Sequence, residues 1–302
     1  MGDYKSVIDF ANWAKQTYPA RHYMLIVWNH GAGWIKGPNG EVTKGISYDD
    51  ETNHHITTPQ MGAMLKGING VDVYGSDACL MQMAEVDYEI KDYAKIIVGS
   101  EETEPGDGYT YNTFLGPLAA RPAMTPAELA RTAVDAYIDH YKQQRTGSTQ
   151  SFVRAAALPG LMARVDAWTA AVMAAGLKAE VNAARGEAMS YAISENKDLY
   201  HFVGLVAAKT AVPAVKAASP DLQTYIARDL VLYNRFNDQP DNGGGDNSPD
   251  NWEKARWGGK DYSESHGIAV YLPGSELGDG YKELAWAAAT KWTDFIAWYQ
   301  AK

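Results

Sequence analysis

The chain has 302 residues, 46% of them hydrophobic and 21% charged, an ordinary globular composition with length enough for one large domain or two. Its 37 acidic against 27 basic residues leave a formal charge of −10, which repels phosphate backbones, argues against nucleic acid and favours a basic substrate. One cysteine excludes an intramolecular disulfide and a cysteine metal cluster, and no apolar run approaches the roughly eighteen residues that span a bilayer.

Residues 3–17 put Val7, Phe10, Ala11 and Ala14 on one helical face. This N-terminus carries Asp3 and lacks an apolar h-region, so it does not read as a signal peptide. Pro19 ends the helix. Residues 23–29 (YMLIVWN) are a nearly continuous apolar run, the pattern of a strand buried on both faces of a parallel sheet. Thr58-Pro59 opens a helix to about Gly67. Residues 71–76 (VDVYGS) read as a second strand, 79–91 as a helix and 95–100 (KIIVGS) as a third strand. Thr125-Pro126-Ala127-Glu128 is a capping box for a helix to about Gln143, and a fourth strand is expected over 151–156. This alternation predicts an α/β layered sheet with right-handed crossovers.

From 158 to 236 alanine and helical spacing dominate, with a further helix start at Ser219-Pro220. Residues 238–251 (DQPDNGGGDNSPDN) form a solvated loop, acidic but without the spacing of an EF-hand. A last strand over 267–272 (GIAVYL) and a Trp- and Ala-rich helix over 281–299 follow, their tryptophans expected in the core. The organisation is thus an α/β core over 1–156, a helical subdomain with the acidic loop over 157–251, and a strand and helix over 252–302 returning to the core.

Cys79 follows the second strand at the predicted start of a helix, where a helix N-terminus would favour thiolate. That junction lies at the carboxyl edge of the sheet, where ligands bind in α/β folds. His30 closes the first strand, so it should reach the same edge, and a His with a Cys there can form a base–nucleophile pair. Gly31 leaves space and a backbone N–H suited to an oxyanion. His266 precedes its strand and is expected at the opposite edge, and His54-His55 on an exposed polar loop. There is no HExxH, GxxxxGK[ST] or GxGxxG motif, which weighs against a zinc hydrolase or a nucleotide site.

Four segments, LIVWNHGAGW (25–34), GISYDDET (45–52), GSDACLMQMAEVDYEIKDYAKIIVGSEETEPGDGYTY (75–111) and HGIAVYLP (266–273), resemble the clostripain family of cysteine peptidases, within the caspase-like clan. The resemblance implies a caspase-like, mostly parallel α/β sheet flanked by helices, with a helical C-terminal subdomain. It implies His30 as general base, Cys79 as nucleophile, and the Gly31 and Cys79 N–H groups as oxyanion hole. Cleavage after Arg or Lys is implied too, with Asp77 and Asp107 supplying the negative charge of the S1 pocket. Read alone, Asp77 would cap the helix of Cys79 and Asp107 would sit in a β-turn; Glu101, Glu102 and Glu104 are equally able to supply surface charge. Self-cleavage is expected at Lys44-Gly45, with Lys36-Gly37 competing.

The family also carries two strands before the helix that precedes its HG strand, whereas this sequence begins at that helix; an uncovered strand edge invites pairing. The implied partners are proteins or peptides with Arg or Lys, without nucleic acid or a membrane span, and no oligomeric state is implied. The chemistry needs no cofactor, Ca2+ is allowed by the resemblance without ligands to assign, and the implied setting is secreted or periplasmic. Two rival readings are a catalytically silent caspase-like binding module and a thiol redox or acyl-transfer enzyme, the former retaining a pocket without turnover.

Overall fold

A computed structural model describes residues 2–34, 45–240 and 259–301. Five strands make one sheet in the order β1 (Met24–Trp28), β4 (Val71–Asp77), β5 (Ala94–Gly99), β6 (Ser148–Arg154) and β8 (Val231–Asn237). The first three run parallel, and β6 and β8 complete the sheet antiparallel. A helix precedes β1, α1 (Tyr4–Thr17), and the parallel strands are joined through α2 (Thr58–Gly67) and α3 (Ala84–Ile90). This is the caspase-like α/β layering expected from the sequence, a mixed sheet with helices on both faces.

Local chemistry explains where the helices start. Thr57 caps α2, its hydroxyl accepting from the Gln60 N–H while the Gln60 side chain accepts from the Thr57 N–H. The cap is one residue earlier than Thr58-Pro59 suggested. Thr125 and Glu128 form the expected box at the start of α5 (Pro126–Gln143). Between β5 and α5 lies a further helix that the sequence pattern did not separate, α4 (Tyr111–Ala120), with Pro117 inside it.

Strand alternation splits the core. Val73, Ile96 and Val98 point to the face covered by Phe114 of α4 and by Val134, Tyr137 and Tyr141 of α5. Tyr74 and Ile97 point to the other, larger cluster, shared with α2, α3 and the C-terminal half. That half supplies α6 (Leu158–Ala174), α7 (Lys178–Glu187), α8 (Leu199–Ala208) and α9 (Pro213–Tyr225). Trp168 of α6 lies at its centre, edge-on to Phe202 and Phe295, with its indole N–H donating to Ser219 Oγ at 2.9 Å. Among the described residues no helix is long and apolar enough to cross a membrane.

Several sequence expectations are corrected. The apolar run at 23–29 is not buried on both faces: β1 stands at the edge of the sheet, and only Val27 is fully buried. Nor is the stretch 158–236 helical throughout, because VLYNRFN forms β8, whose β-branched and aromatic side chains pair with β6. The strand expected within GIAVYL is β9 (Ala269–Tyr271), which pairs with β7 (Asn196–Asp198) in a separate two-stranded sheet. His54-His55 belong to β3 (His54–Ile56), a partner of β2 (Ile46–Asp49), and the His55 ring stacks on Tyr48. The helix read over 281–299 is a 3-10 turn followed by α10 (Ala285–Ala289) and α11 (Trp292–Gln300). It breaks where Thr290 Oγ1 takes the Trp292 N–H. Trp286 and Trp292 are fully buried, as expected of core residues. The acidic loop lies mostly outside the described residues.

The helix expected from Cys79 begins only at Ala84. Residues 78–83 instead pair sideways: the Leu80 N–H donates to Glu102 O and the Gln82 N–H to Ser100 O, while Met83 bridges Ala269. Leu80 has φ +63°, a left-handed conformation that ends β4 in a turn rather than a helix. Glu85, in the first turn of α3, is wholly buried and accepts from the Tyr271 N–H and the Tyr281 hydroxyl.

Two stability outcomes follow. Trp168→Ala should cost about 3–5 kcal/mol in urea unfolding, whereas Trp13→Ala, on an exposed face of α1, should stay within about 0.5 kcal/mol. Burial pushes Glu85 up to about 7 from 4.5, against the opposing hydrogen bonds. In that interval the folded chain keeps a proton that the unfolded chain releases, so this contribution to stability is lost as pH rises. The urea midpoint of Glu85→Gln should therefore fall less between pH 5 and pH 8 than that of the unaltered chain.

Candidate active site

Parallel pairing sets the geometry of the cleft. Trp28 pairs with Asp77, so His30 and Cys79 each stand two residues beyond matched strand ends. Asn29 holds the first of the two turns: its Oδ1 accepts from its neighbour His30 N–H at 2.6 Å and from Tyr48 N–H at 3.1 Å. The Ser47 N–H in turn donates to His30 O. Next to it, Gly31 packs directly on the second turn. A Cβ there would lie 2.5 Å from the Cys79 carbonyl oxygen and 3.0 Å from Ala78 Cβ, so a side chain would force the turns apart.

His30, Gly31, Asp77 and Cys79 line one cleft of about 910 Å3. The His30 side chain is exposed there, and Cys79 is half-buried. Sγ of Cys79 accepts from the Glu104 N–H at 3.2 Å and lies 3.8 Å from the Glu104 carbonyl. A main-chain donor thus stands where the sequence placed a helix N-terminus. Residues from far along the chain also line it, among them Ile193, Gln239, Lys260 and Tyr262.

Asp77 does not cap a helix. It ends β4, buried, with Oδ1 accepting from the Tyr109 N–H at 3.0 Å and Oδ2 from the Tyr111 hydroxyl at 2.7 Å. Burial pushes its carboxyl above the usual range, and those two hydrogen bonds pull the other way. Gly108, at φ +64°, passes so close that a Cβ would meet Asp77 Oδ1 at 2.6 Å and Trp28 Nε1 at 3.0 Å. Asp107 is exposed on the turn beside it; its neighbours Gly106 and Gly108 line the cleft.

The neighbouring glutamates are not surface charge. Glu101 is buried, meets the carboxyl of Asp198, and accepts from the Gly267 N–H. Glu102, also buried, is a hub: one oxygen takes the Thr103 and Ala192 N–H groups, the other takes Lys260 Nζ at 2.6 Å and the Tyr262 hydroxyl at 3.0 Å. It binds these cleft-lining residues to the turn after β5. Sequence reading missed Glu102 and Glu104 as site residues; the signal available was the acidic run EETE directly after a buried strand.

His266 is outside the cleft. Its ring stacks on Tyr200 and faces Asp198, which also accepts from its backbone N–H. Lys36 and Lys44 lie outside the described residues. Gly45 is buried and paired with the HGAGW segment, its N–H donating to Gly33 O and its carbonyl accepting from the Ala32 N–H. Among the described residues no group of three or more His, Cys, Asp or Glu side chains is placed to hold a metal ion, so no calcium ligand is assigned.

Comparison with known proteins gives the family and the fold. The model of the clostripain family, peptidase family C11, matches residues 1–248. Clostripain of Hathewaya histolytica is 30% identical over 131 residues, 40% of this chain and 25% of that protein. The match therefore spans about a quarter of that curated relative. A secreted C11 cysteine protease from Bacteroides thetaiotaomicron, solved with an irreversible peptide inhibitor, superposes with a TM-score of 0.66 at 18% identity, over 96% of this chain and 78% of that one. An inactive zymogen C11 protease from Parabacteroides distasonis gives 0.64 at 17% identity, over 96% and 76%. With its fold shared by these structures and its sequence matched over most of its length, the chain belongs to the clostripain family of cysteine peptidases.

Proposed function

We propose that this chain is a cysteine endopeptidase that hydrolyses peptide bonds after Arg or Lys. The observation that carries the reading is the register of β1 on β4, which delivers His30 and Cys79 to one cleft beside the buried carboxylate of Asp77. The Glu104 N–H on Sγ favours the thiolate that peptide cleavage requires.

In the proposed cycle His30 takes the thiol proton and Cys79 Sγ attacks the scissile carbonyl carbon. The Gly31 and Cys79 N–H groups receive the oxyanion. His30 gives its proton to the leaving amine, leaving a thioester on Cys79. It then removes a proton from water, whose attack releases the acid and restores the thiol. No cofactor enters these steps, and none is routed through calcium. A substrate guanidinium or ammonium would meet Asp77 at the floor of S1, with Asp107 at the rim. Desolvation in such a pocket strengthens the ion pair.

Self-activation at Lys44-Gly45 is part of the proposal. Gly45 pairs with Gly33 and Ala32, beside the turn bearing His30, and a relative of the same fold is described as a zymogen. A secreted setting is proposed on the same footing, since a relative is described as secreted.

Release of a fluorophore from peptides ending in Arg, Lys, Asp or Leu tests the reading. Turnover should be confined to Arg and Lys, and Cys79→Ala should lower it by roughly 10³-fold or more. Silence over the whole panel from folded protein would favour a non-catalytic binding module. Asp77→Asn should reduce kcat/KM for the basic peptides by about 100-fold, the scale of a lost charge-assisted hydrogen bond. Intact-mass measurement should show a cut after Lys44 that is absent from both Cys79→Ala and Lys44→Ala.

A further inference from the structure

Glu104 connects the nucleophile to the cation pocket. Its backbone N–H is on Cys79 Sγ, and its side chain runs inward to meet Asp77 and Gln150. Both carboxyl oxygens are buried, and the amide of Gln150 is the donor that faces them. Asp77 differs, since both of its oxygens accept from Tyr109 and Tyr111. Two carboxyl groups in contact cannot both be ionised at low cost, and the one with more donors keeps the charge. The titratable groups facing Glu104 are Asp77, Cys79, Tyr109 and Tyr111, with Tyr137 and Tyr141 from α5. None of these six is a cation.

We infer that Glu104 works as a neutral carboxylic acid whose O–H donates to Asp77, fixing that carboxylate at the cleft while adding no second negative charge beside Cys79. Glu104 is therefore a positioning residue, its buried carboxyl acting through Asp77. Burial, reinforced by the charges of Asp77 and Cys79, holds its carboxyl well above the usual range, in keeping with that state. The sign is definite: as pH rises Glu104 ionises, and its charge then disfavours both the Cys79 thiolate and the paired Asp77 carboxylate. The inference rests on Asp77 being the S1 carboxylate only for its effect on KM; the effect on Cys79 stands apart from it.

The test compares Glu104→Gln, which keeps a neutral donor, with Glu104→Leu, which keeps volume alone. Two readouts are used: kinetics on an Arg peptide, and the pH profile of iodoacetamide alkylation, which reports Cys79 because the chain has one cysteine. Glu104→Leu should raise KM about tenfold with a smaller change in kcat, and Glu104→Gln should recover most of that loss. In alkylation, the unaltered chain should match Glu104→Gln at neutral pH and fall behind it at the alkaline end. Failure of Glu104→Gln to recover, or alkylation of the unaltered chain slower than the Gln variant at every pH, would mean an ionised Glu104 and overturn the inference. A Leu variant equal to the unaltered chain in both readouts would overturn it too. If no Arg or Lys peptide is turned over, the S1 reading fails, and the two alkylation profiles still decide the state of Glu104. Thermal melting shows whether Glu104→Leu folds; where it does not, the Gln comparison carries the decision.

Discussion

The site depends on a contact that only glycine permits. Gly31 sits on the Cys79 carbonyl with no room for a side chain. Because Trp28 and Asp77 are register partners, that contact makes the turns after β1 and β4 stack directly. His30 and Cys79 are carried together by this packing, from strands that are distant in sequence. A larger residue at 31 would separate the turns even with both functional groups intact.

Buried carboxyl groups organise much of what surrounds these turns. Glu102 gathers the segment after β5, the Ala192 backbone, Lys260 and Tyr262. Glu101 and Asp198 meet behind it and take the Gly267 and His266 N–H groups. Glu85 holds the Tyr271 backbone and the Tyr281 hydroxyl. Each joins the sheet side of the molecule to its C-terminal half through main-chain or hydroxyl donors, with Lys260 the charged partner of Glu102. An acidic chain therefore keeps part of its carboxyl groups inside, where main-chain and hydroxyl donors satisfy them. The cleft inherits this: strand ends line it together with Ala192, Lys260 and Tyr262, which Glu102 holds.

The sequence was most legible where one local rule governed the outcome. Thr125 and Glu128 announced their helix through a reciprocal cap, and VDVYGS and KIIVGS announced their strands through short apolar runs. It was least legible where tertiary pairing overrode propensity. ACLMQMAEV reads as helical from Cys79, yet Leu80 and Gln82 donate to the strand-end segment 100–102 instead. VLYNRFN was absorbed into a helical stretch, although its β-forming side chains pair with β6.

The layered α/β class, the expectation that His30 and Cys79 share one edge of the sheet, and the family resemblance can all be read from the sequence. These follow from strand punctuation, residue type and motif, all of which are local. Tertiary packing made β1 an edge strand, set a main-chain amide of Glu104 against the thiol, and buried Glu101 and Glu102 of the EETE run. It alone placed Glu104 against Asp77. Such facts depend on which segments approach across long separations, and burial of a carboxyl is a property of its surroundings rather than of its neighbours in sequence.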